Sequence, residues 1–253
     1  MMSDRQAALV TGGAIRVGRH FAETLAQLGY DVAIHYNSSA RPAEEAAREI
    51  RKLGVECEIF PCDFLSGNDP SPLIERVATR FPGLSVLINC ASIYNAAPTT
   101  ETSLAMLQQE FMVNFFTPFL LSGAFARLVE QGNIINILDN KIAFQQFHYQ
   151  AYLLAKKALA EFTRMAAMEF APRIRVNGIA PGVIMPGTSR TDDYIAWRVQ
   201  GIPLKRQGQV EELGKALRYI LDNEYITGQH LYVDGGESLF HIGQNAEVYA
   251  PEN

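Results

Sequence analysis

A single-domain α/β fold is predicted for this 253-residue chain, built as a doubly wound parallel sheet with helices on both faces. Short apolar runs alternate with segments of helical period, which is typical of a parallel sheet buried on both faces. A glycine-rich turn joins the first apolar run to the first helical segment. No internal repeat, low-complexity tract or linker interrupts residues 1–253, so we expect one domain.

Seven short runs supply the predicted strands. In chain order they are 7–10 (AALV), 31–36 (DVAIHY), 57–60 (CEIF), 85–89 (SVLIN), 133–138 (NIINIL), 174–179 (IRVNGI) and 230–233 (HLYV). Each is short and mostly apolar, which favours a buried parallel strand. Between them, helical periodicity predicts helices near 17–29, 42–53, 70–81, 104–130, 149–171 and 211–222. Right-handed crossovers then place these helices on both faces of the sheet.

Two segments lie outside this alternation. Residues 181–209 follow the carboxyl end of the sixth strand, the edge at which such sheets bind ligands. They are predicted to form a substrate lid, with 183–200 closing over the ligand. The polar, aperiodic residues 241–253 are predicted to form a tail.

Composition narrows the class of protein. The net charge of −5 weighs against non-specific nucleic-acid binding. No run approaches the roughly 20 apolar residues that span a bilayer, and the start of the chain has no apolar run typical of a secretory signal. Cys57, Cys62 and Cys90 have no disulfide spacing, which favours a cytoplasmic location. The histidines lack metal-ligand spacing, so no metal site is predicted.

The turn after the first strand runs from Thr11 to Gly18 and includes Gly12 and Gly13. Because glycine has no Cβ, such a turn lets the backbone approach an anion closely. The N-terminus of the following helix adds free N–H groups and a positive dipole end. This strand, turn and helix predict a Rossmann-type site for the pyrophosphate of a dinucleotide.

Tyr152 and Lys156 stand four residues apart in a helical segment, so they lie on one face of the helix. A nearby ammonium group stabilises a phenolate, and we therefore expect the pKa of Tyr152 to fall below its usual value of about 10. The pair would then serve as a general acid or base near neutral pH. The alternative for the same spacing is a half-exposed helix face without chemistry.

Together these features resemble the short-chain dehydrogenase/reductase family. Its members combine a glycine turn and a Tyr-x-x-x-Lys pair with a stretch like Asn89-Cys90-Ala91-Ser92 after the fourth strand and a helical asparagine like Asn114. The resemblance extends through 225–228 and 233–236 and so covers nearly the whole chain. It implies an oxidoreductase with a nicotinamide cofactor.

The resemblance implies a role for each matching residue. Tyr152 would donate the proton, Lys156 would bind the nicotinamide ribose, and Asn114 would hold a water near the lysine. The cofactor would contact the glycine turn and the strand ends, namely Gly12, Arg16, Val17, Gly18, His35, Tyr36, Ser38, Ser39, Asp63, Phe64, Asn89, Ala91, Lys156, Pro181 and Gly182. Asp63 and Asn89 also have structural explanations, as a turn former and as a strand-end cap.

Two positions depart from the general family pattern. Arg16 occupies a turn position that is glycine in most members, and Asp139 stands thirteen residues before Tyr152, where the family usually has serine. A carboxylate opposes the negative charge that builds on a carbonyl oxygen during reduction. Close to Tyr152, it would also raise the pKa of the phenol. It suits instead a nitrogen heterocycle that must be protonated or that offers N–H groups. The alternative for Asp139 is a cap of the following turn.

Both departures match the pteridine reductase branch of the family, as do His35-Tyr36, Tyr149 and the aromatic Tyr94. The resemblance implies a pterin ring stacked between the nicotinamide and Tyr94. The substrate would contact Arg16, Ser92, Tyr94, Asp139 and Tyr152.

The end of the second strand favours one nicotinamide cofactor over the other. Users of NAD place Asp or Glu there, whereas residues 35–39 read His-Tyr-Asn-Ser-Ser. A 2′-phosphate would not be repelled at this position, and Arg16, Ser38 and Ser39 could bind it. We therefore predict NADPH.

The predicted function is NADPH-dependent reduction of a C=N bond in a dihydropterin or dihydrofolate to the tetrahydro form. The proton would come from Tyr152, or from water organised by Asp139 and Arg16. A carbonyl reductase acting on a ketone or oxoacyl thioester is the first alternative, and a non-catalytic dinucleotide sensor is the second. The family resemblance further implies a homotetramer that packs helices 104–130 and 149–171 across a two-fold axis.

Overall fold

Seven parallel strands form one sheet in the computed structural model, which describes residues 5–185 and 191–239. The strands are β1 (Ala7–Val10), β2 (Asp31–Tyr36), β3 (Cys57–Pro61), β4 (Leu84–Asn89), β5 (Gly132–Ile137), β6 (Ile174–Pro181) and β7 (His230–Val233). Their order in the sheet is β3-β2-β1-β4-β5-β6-β7, and every neighbouring pair is parallel. The chain reverses direction across the sheet between β1 and β4, which confirms the predicted doubly wound fold.

Helices cover both faces of this sheet. They are α1 (Arg16–Gln27), α2 (Ala40–Arg51), α3 (Pro72–Arg80), α4 (Leu104–Phe111), α5 (Thr117–Leu128), α6 (Gln150–Phe170), α7 (Asp192–Val199) and α8 (Val210–Asp222). A π-helical turn, Met112–Phe116, joins α4 to α5, and short 3-10 turns lie at Thr99–Glu101, Asn140–Ala143 and Glu237–Leu239. Helices α1, α2 and α8 pack on one face, whereas α3, α5 and α6 pack on the other.

Alternating side chains of the strands supply two separate cores. In β1, Ala7 and Leu9 contact the layer of α3, α5 and α6, whereas Ala8 and Val10 contact the layer of α1, α2 and α8. All four are fully buried, as a strand covered on both faces requires. Burying a large apolar side chain contributes about 1.5–3 kcal/mol to folding, so the two layers hold the strand ends rigidly in place.

The predicted elements are all present, and their boundaries differ from the prediction by at most two residues. Helix α7 is the exception, because it lies in the segment 181–209 that was predicted only as a lid. Its start carries an ordinary capping signal: the Tyr194 N–H donates to Thr191 Oγ1 at 3.2 Å, and Asp192 and Asp193 occupy the first turn. This signal was readable in the sequence and was missed.

Helix α4, the π turn and α5 form one continuous run of 25 residues, Leu104–Leu128, that is apolar and long enough to cross a membrane. The sequence-based statement that no run approaches this length was therefore wrong. Half of its most apolar window is buried inside the protein, and Leu121 and Phe125 are fully buried in the core. The core helix of a globular domain passes the same test, so this run is weak grounds for a membrane span.

Two predicted segments lie partly or wholly outside the residues that the structure describes. The predicted tail, 241–253, lies outside the described residues, as do residues 186–190 of the predicted lid. The described part of 181–209 contains the end of β6, helix α7 and the loop that leads to α8. Its role as a lid stays a prediction.

Candidate active site

A cavity of about 320 Å³ lies at the carboxyl ends of the strands, beside the switch point between β1 and β4. Its lining includes nine of the predicted site residues: Gly12, Arg16, Val17, Gly18, His35, Asp63, Phe64, Ala91 and Ser92. It also includes Ile15, Asn37, Leu65, Cys90, Ile93 and Val113, which the sequence did not single out. The fold thus brings together residues from the first, second, third and fourth strand ends.

The glycine turn has a geometry that only glycine tolerates. A Cβ on Gly18 would lie 2.2 Å from the carbonyl oxygen of Gly12, and Gly12 itself has a positive φ of 64°. A Cβ on Gly12 would approach the Cα of Ala91 to 3.0 Å. The turn is therefore packed directly against the residues that follow β4, and Gly12 and Gly18 are positions where a side chain would not fit.

Arg16 is the first residue of α1 and is exposed at the cavity mouth. Its φ of 53° lies in the left-handed region, which costs a non-glycine residue of order 1–3 kcal/mol. Its guanidinium donates a hydrogen bond to the carbonyl oxygen of Met185, which follows β6. Arg16 thus joins the glycine turn to the 181–209 segment, and its predicted contacts with phosphate and substrate stay predictions.

His35, on the neighbouring strand β2, forms a hydrogen bond with the glycine turn. The Gly12 N–H donates to His35 Nδ1 at 3.1 Å, and Nε2 lies 2.9 Å from the carbonyl oxygen of Cys62. These partners fit a neutral ring with its proton on Nε2. Burial lowers the pKa of His35 to about 4, and its ring stacks on Phe64 with centroids 4.1 Å apart. His35 therefore positions the turn, in addition to lining the cavity.

This buried histidine makes stability depend on pH. The unfolded chain takes up a proton at His35 below about pH 6.5, whereas the folded chain does so only near pH 4, because burial lowers this pKa to about 4. The free energy of unfolding should therefore fall as the pH drops, by about 2 kcal/mol between pH 7 and pH 5 from this group alone. Urea unfolding at pH 7 and at pH 5 measures this change in the free energy of unfolding.

The matched comparison is between His35→Gln and His148→Gln, since His148 is exposed. The first variant should lose about 2 kcal/mol of the pH dependence, and the second should retain it. An unchanged pH dependence in His35→Gln would show that the ring is not buried as a neutral group.

Asp139 and Tyr152 contact each other directly, although neither is among the residues that line the cavity. The Tyr152 hydroxyl donates to Asp139 Oδ2 at 2.8 Å, and the Lys141 N–H donates to Asp139 Oδ1, also at 2.8 Å. One carboxylate oxygen thus caps the 3-10 turn Asn140–Ala143, and the other meets the phenol. The two explanations offered by the sequence for Asp139, a cap and a partner of Tyr152, both apply.

The prediction that Lys156 lowers the pKa of Tyr152 was wrong. Burial raises the pKa of Tyr152 well above 10, and the adjacent charge of Asp139 raises it further. Lys156 Nζ lies 5.8 Å from the centroid of the Tyr152 ring and donates to the carbonyl oxygen of Ile137 at 2.7 Å. The lysine is itself buried, which lowers its pKa to about 8. The phenol therefore remains protonated and donates to the carboxylate.

An aromatic cluster forms the wall of the site next to Tyr152. Tyr94 stacks on Tyr149 with ring centroids 4.1 Å apart and planes only 6° apart, and it meets Tyr152 edge to face at 4.6 Å. Lys141 Nζ donates to the Tyr94 hydroxyl at 3.2 Å. Tyr149 thus covers one face of Tyr94, so a stacked ligand would use the other face or displace Tyr149. The stacking role predicted for Tyr94 stays a prediction.

Asn114 lies in the π turn between α4 and α5, a kind of helix irregularity that is frequent at functional sites. Its side-chain amide is fully engaged with protein groups: Nδ2 donates to Ile93 O at 3.1 Å and to Glu110 Oε2 at 2.8 Å, and Oδ1 accepts from Ser92 Oγ at 2.6 Å. Glu110 was missed by the sequence analysis. It sits four residues before Asn114, a spacing that would have placed both on one helix face.

The predicted cofactor residues of the second and third strands lie on the rim. Asp63 is exposed beside the cavity and accepts one hydrogen bond, from the Leu65 N–H at 2.9 Å. Ser38 and Ser39 precede α2 and lie just beyond Asn37, which lines the cavity. Hydroxyl groups and a helix N-terminus next to the cavity suit an anionic group.

Tyr94, Asn114 and Lys156 are not among the residues that line the cavity, and other predicted residues are also absent from its lining. Tyr36 packs partly buried against the core under α1 and α2. Asn89 is buried, and its Nδ2 donates to Asn136 Oδ1 at 2.9 Å and to Ser122 Oγ at 3.3 Å inside the sheet. Pro181 ends β6, and Gly182 donates to Val233 O at 3.0 Å against β7. Their predicted contacts with a cofactor stay predictions.

Comparisons with known proteins agree with this geometry. A family model described as enoyl-(acyl carrier protein) reductase matches residues 13–238. The 3-oxoacyl-[acyl-carrier-protein] reductase FabG of Staphylococcus epidermidis is 31% identical, covering 91% of this chain and 98% of the relative. FolM alternative dihydrofolate reductase 1 of Brucella suis, in complex with NADP, superimposes with a TM-score of 0.88 at 32% identity, covering 94% of this chain and 97% of that one.

A third similar protein is described as an acetoin dehydrogenase. It is YohF of Salmonella typhimurium, which superimposes with a TM-score of 0.86 at 30% identity over 95% of this chain and 99% of that one. The fold and the cavity define a dinucleotide-binding oxidoreductase. The chain belongs to the short-chain dehydrogenase/reductase family.

The described residues 5–185 and 191–239 contain no group of three or more histidine, cysteine, aspartate or glutamate side chains placed to hold a metal ion. In the same ranges, all three cysteines are free. Burial raises the pKa of Cys90 to about 12, so this thiol at the cavity wall remains protonated and unreactive.

Proposed function

We propose that this oxidoreductase reduces a C=N bond in a pterin ring, converting a dihydropterin or dihydrofolate to its tetrahydro form. The observation that carries the proposal is the 2.8 Å hydrogen bond between the Tyr152 hydroxyl and Asp139 Oδ2. It places a carboxylate next to the phenol that donates the proton in this family. The cofactor is NADPH.

The Asp139 carboxylate favours a substrate with a C=N bond over one with a carbonyl group. Reducing a carbonyl places negative charge on oxygen, and an anion in contact with the proton donor opposes this charge. Reducing a C=N bond begins with a basic nitrogen whose protonated form is cationic, and a neighbouring carboxylate stabilises it. Asp139 also raises the pKa of Tyr152, which makes the phenol a weaker acid and favours a substrate atom more basic than a carbonyl oxygen.

The cavity residues fit the proposed cofactor. Gly12 and Gly18 lie too close to neighbouring backbone to carry a side chain, and such glycines let a backbone turn approach a pyrophosphate closely. Arg16, Ser38 and Ser39 would contact phosphate groups, Asp63 and the Phe64 backbone the adenine, and Lys156 the nicotinamide ribose. When bound, the nicotinamide supplies the hydride.

The remaining residues would position the substrate and move its proton. The Tyr94 ring would stack on the pterin, while Ser92 and Arg16 would bind its polar edge. Tyr152 would donate the proton to the ring nitrogen, and Asp139 would hold the phenol and the ring N–H groups in place. Lys156, as an ammonium group below about pH 8, would stabilise the phenolate that forms.

Similarity to known proteins supports more than one substrate class. FolM is described as a dihydrofolate reductase, whereas FabG is described as an oxoacyl reductase and YohF as an acetoin dehydrogenase. A carbonyl substrate is therefore the second candidate, and the Asp139 carboxylate argues against it. A non-catalytic dinucleotide sensor is disfavoured because both Tyr152 and Lys156 are present.

A substrate panel decides between these candidates. The purified chain is given NADPH with dihydrobiopterin, dihydromonapterin, dihydrofolate, an oxoacyl thioester and diacetyl, and NADPH oxidation is followed. We expect kcat/KM for one of the dihydro compounds to exceed that for either carbonyl by at least about 100-fold, or about 3 kcal/mol of transition-state stabilisation. The opposite ranking would establish a carbonyl reductase, and tight NADPH binding without any turnover would establish a sensor.

We also propose a homotetramer in the cytoplasm. Helices α5 and α6 carry large exposed apolar side chains, namely Phe116 at the end of the π turn, Phe119, Leu120, Met165 and Met168. Several large exposed apolar side chains on two neighbouring helices suit an interaction site, and these are the two helices expected to pack between subunits.

A further inference from the structure

Glu110 is a carboxylate buried completely within α4, and the proposed mechanism gives it no role. It accepts three hydrogen bonds. Oε1 accepts from the Asn95 backbone N–H at 2.8 Å and from Asn95 Nδ2 at 2.9 Å, and Oε2 accepts from Asn114 Nδ2 at 2.8 Å. Burying a carboxylate is costly unless its oxygens are paired, so these bonds are needed for it to remain there.

The three bonds fix two parts of the active site at once. Asn95 follows Tyr94 directly, so the pair of bonds to Asn95 anchors the loop that carries this aromatic wall. The bond to Asn114, together with the bond from the same NH₂ group to Ile93 O at 3.1 Å, fixes which way its amide faces, because the NH₂ group must point at both acceptors. Asn114 Oδ1 is then turned toward the Ser92 hydroxyl, which donates to it at 2.6 Å.

Glu110 also adds a charge to the site. Burial raises its pKa above the usual value, while the three N–H donors and the charge of Lys156 oppose this rise. The carboxylates whose charges act on Lys156 are Asp139 after β5 and Glu110 on α4, and each raises the pKa of the lysine against the effect of burial. The neighbouring Cys90 thiol is protonated and carries no charge. The charge of Glu110 raises the pKa of Tyr152 as well.

We propose that Glu110 is a positioning residue of the catalytic centre: it orients the Asn114 amide, anchors the Tyr94 loop, and provides a negative charge that keeps the buried Lys156 protonated. The inference rests on the proposed roles of Tyr152 and Lys156 and does not depend on a pterin being the substrate. It adds helix α4 to the elements that build the active site, because Glu110 on α4 is a buried anion behind the residues proposed to face the ligand.

Glu110→Gln tests the proposal, because it keeps the size of the side chain and removes its charge. The amide has one acceptor oxygen where three donors converge, so kcat/KM should fall by about 10- to 100-fold. Without the negative charge, the pKa of Lys156 should fall, and the alkaline limb of the pH–rate profile should move to lower pH by about half a unit to one unit. Amide exchange of residues 92–97 in the apoprotein should rise by at least about tenfold.

Two further variants separate charge from structure. Glu110→Asp keeps the charge and shortens the reach, so the alkaline limb should stay near its original pH although turnover falls. Glu101→Gln removes an exposed carboxylate from the turn just before α4 and should leave turnover, pH profile and exchange unchanged. The assay uses whichever substrate of the panel the wild-type chain reduces.

Wild-type turnover and an unmoved alkaline limb in Glu110→Gln would overturn the proposal. A fall in turnover with an unmoved limb would overturn it as well, because Glu110 would then serve packing alone. If the wild-type chain reduced none of the panel, the proposed function would fail, and exchange in the apoprotein would still decide the positioning role. Unchanged protection of residues 92–97 in Glu110→Gln would then reject it.

Discussion

Replacing Tyr152 by phenylalanine is expected to abolish turnover while leaving NADPH affinity within about twofold of the wild-type value. General acid catalysis by a positioned side chain contributes about 10²- to 10⁴-fold, and the variant lacks the hydroxyl that donates to Asp139 Oδ2. The ring remains, so the edge-to-face contact with Tyr94 is retained. We expect kcat to fall by at least about 10³-fold.

The measurement combines steady-state kinetics with a fluorescence titration of NADPH. Tyr225→Phe is the matched control, because it makes the same chemical change at a fully exposed tyrosine remote from the cavity. It should change neither kcat nor NADPH affinity. Turnover of Tyr152→Phe within about tenfold of wild type would mean that water or another side chain delivers the proton.

Replacing Asp139 by asparagine is expected to lower kcat for the pterin by about 100-fold or more, again with little change in NADPH affinity. Asparagine keeps an oxygen that can accept from the Lys141 N–H, so the cap of the 3-10 turn survives. It removes the charge that faces the Tyr152 hydroxyl. The pKa of Tyr152, raised chiefly by burial and next by Asp139, should fall but remain above 10.

A second substitution and a remote control complete this test. Asp139→Ala removes both the charge and the cap, so it should lose the same turnover and about 1 kcal/mol of stability besides. Asp69→Asn is the control, because Asp69 accepts from Ser71 N–H at 2.9 Å in the same two-residue pattern, outside the cavity. It should retain full turnover.

The outcome for Asp139 bears directly on the substrate class. If Asp139→Asn reduced pterin turnover and NADPH affinity equally, the carboxylate would be structural. If instead it retained pterin turnover, the argument from charge against a carbonyl substrate would fail. Either result would leave an oxidoreductase of the same family with its substrate class open.

Local sequence patterns predicted most of the fold because they arise from local geometry. The run 7–10 and the turn from Thr11 to Gly18 specify a strand, a turn and a helix by periodicity and by the conformational freedom of glycine. The four-residue spacing of Tyr152 and Lys156 places them on one helix face whatever surrounds the helix. Helix α7 was missed although its capping signal is equally local, because the segment around it was assigned to a lid.

The site was only partly predictable, because its energetics depend on burial and on contacts between distant parts of the chain. The sequence suggested that Lys156 lowers the pKa of Tyr152 and that Asp139 raises it. The pKa is raised chiefly by burial, which the sequence did not predict, and next by Asp139, which it did. Asn89 matched a family motif, but its side-chain NH₂ group donates a hydrogen bond inside the sheet to Asn136, a residue of the neighbouring strand. No sequence pattern shows how completely a side chain is buried from solvent or which strand lies next to it.

The sequence by itself determined the parallel doubly wound sheet, the glycine turn, and the phenol and ammonium side by side, since each follows from short-range periodicity or backbone freedom. Only the tertiary structure decided that His35 accepts a hydrogen bond from the glycine turn, that Asn89 pairs with Asn136, and that Glu110 is buried behind Asn114. These contacts join residues from different strands and helices. Their existence depends on the order of strands in the sheet and on the packing of helices over it, which local patterns do not specify.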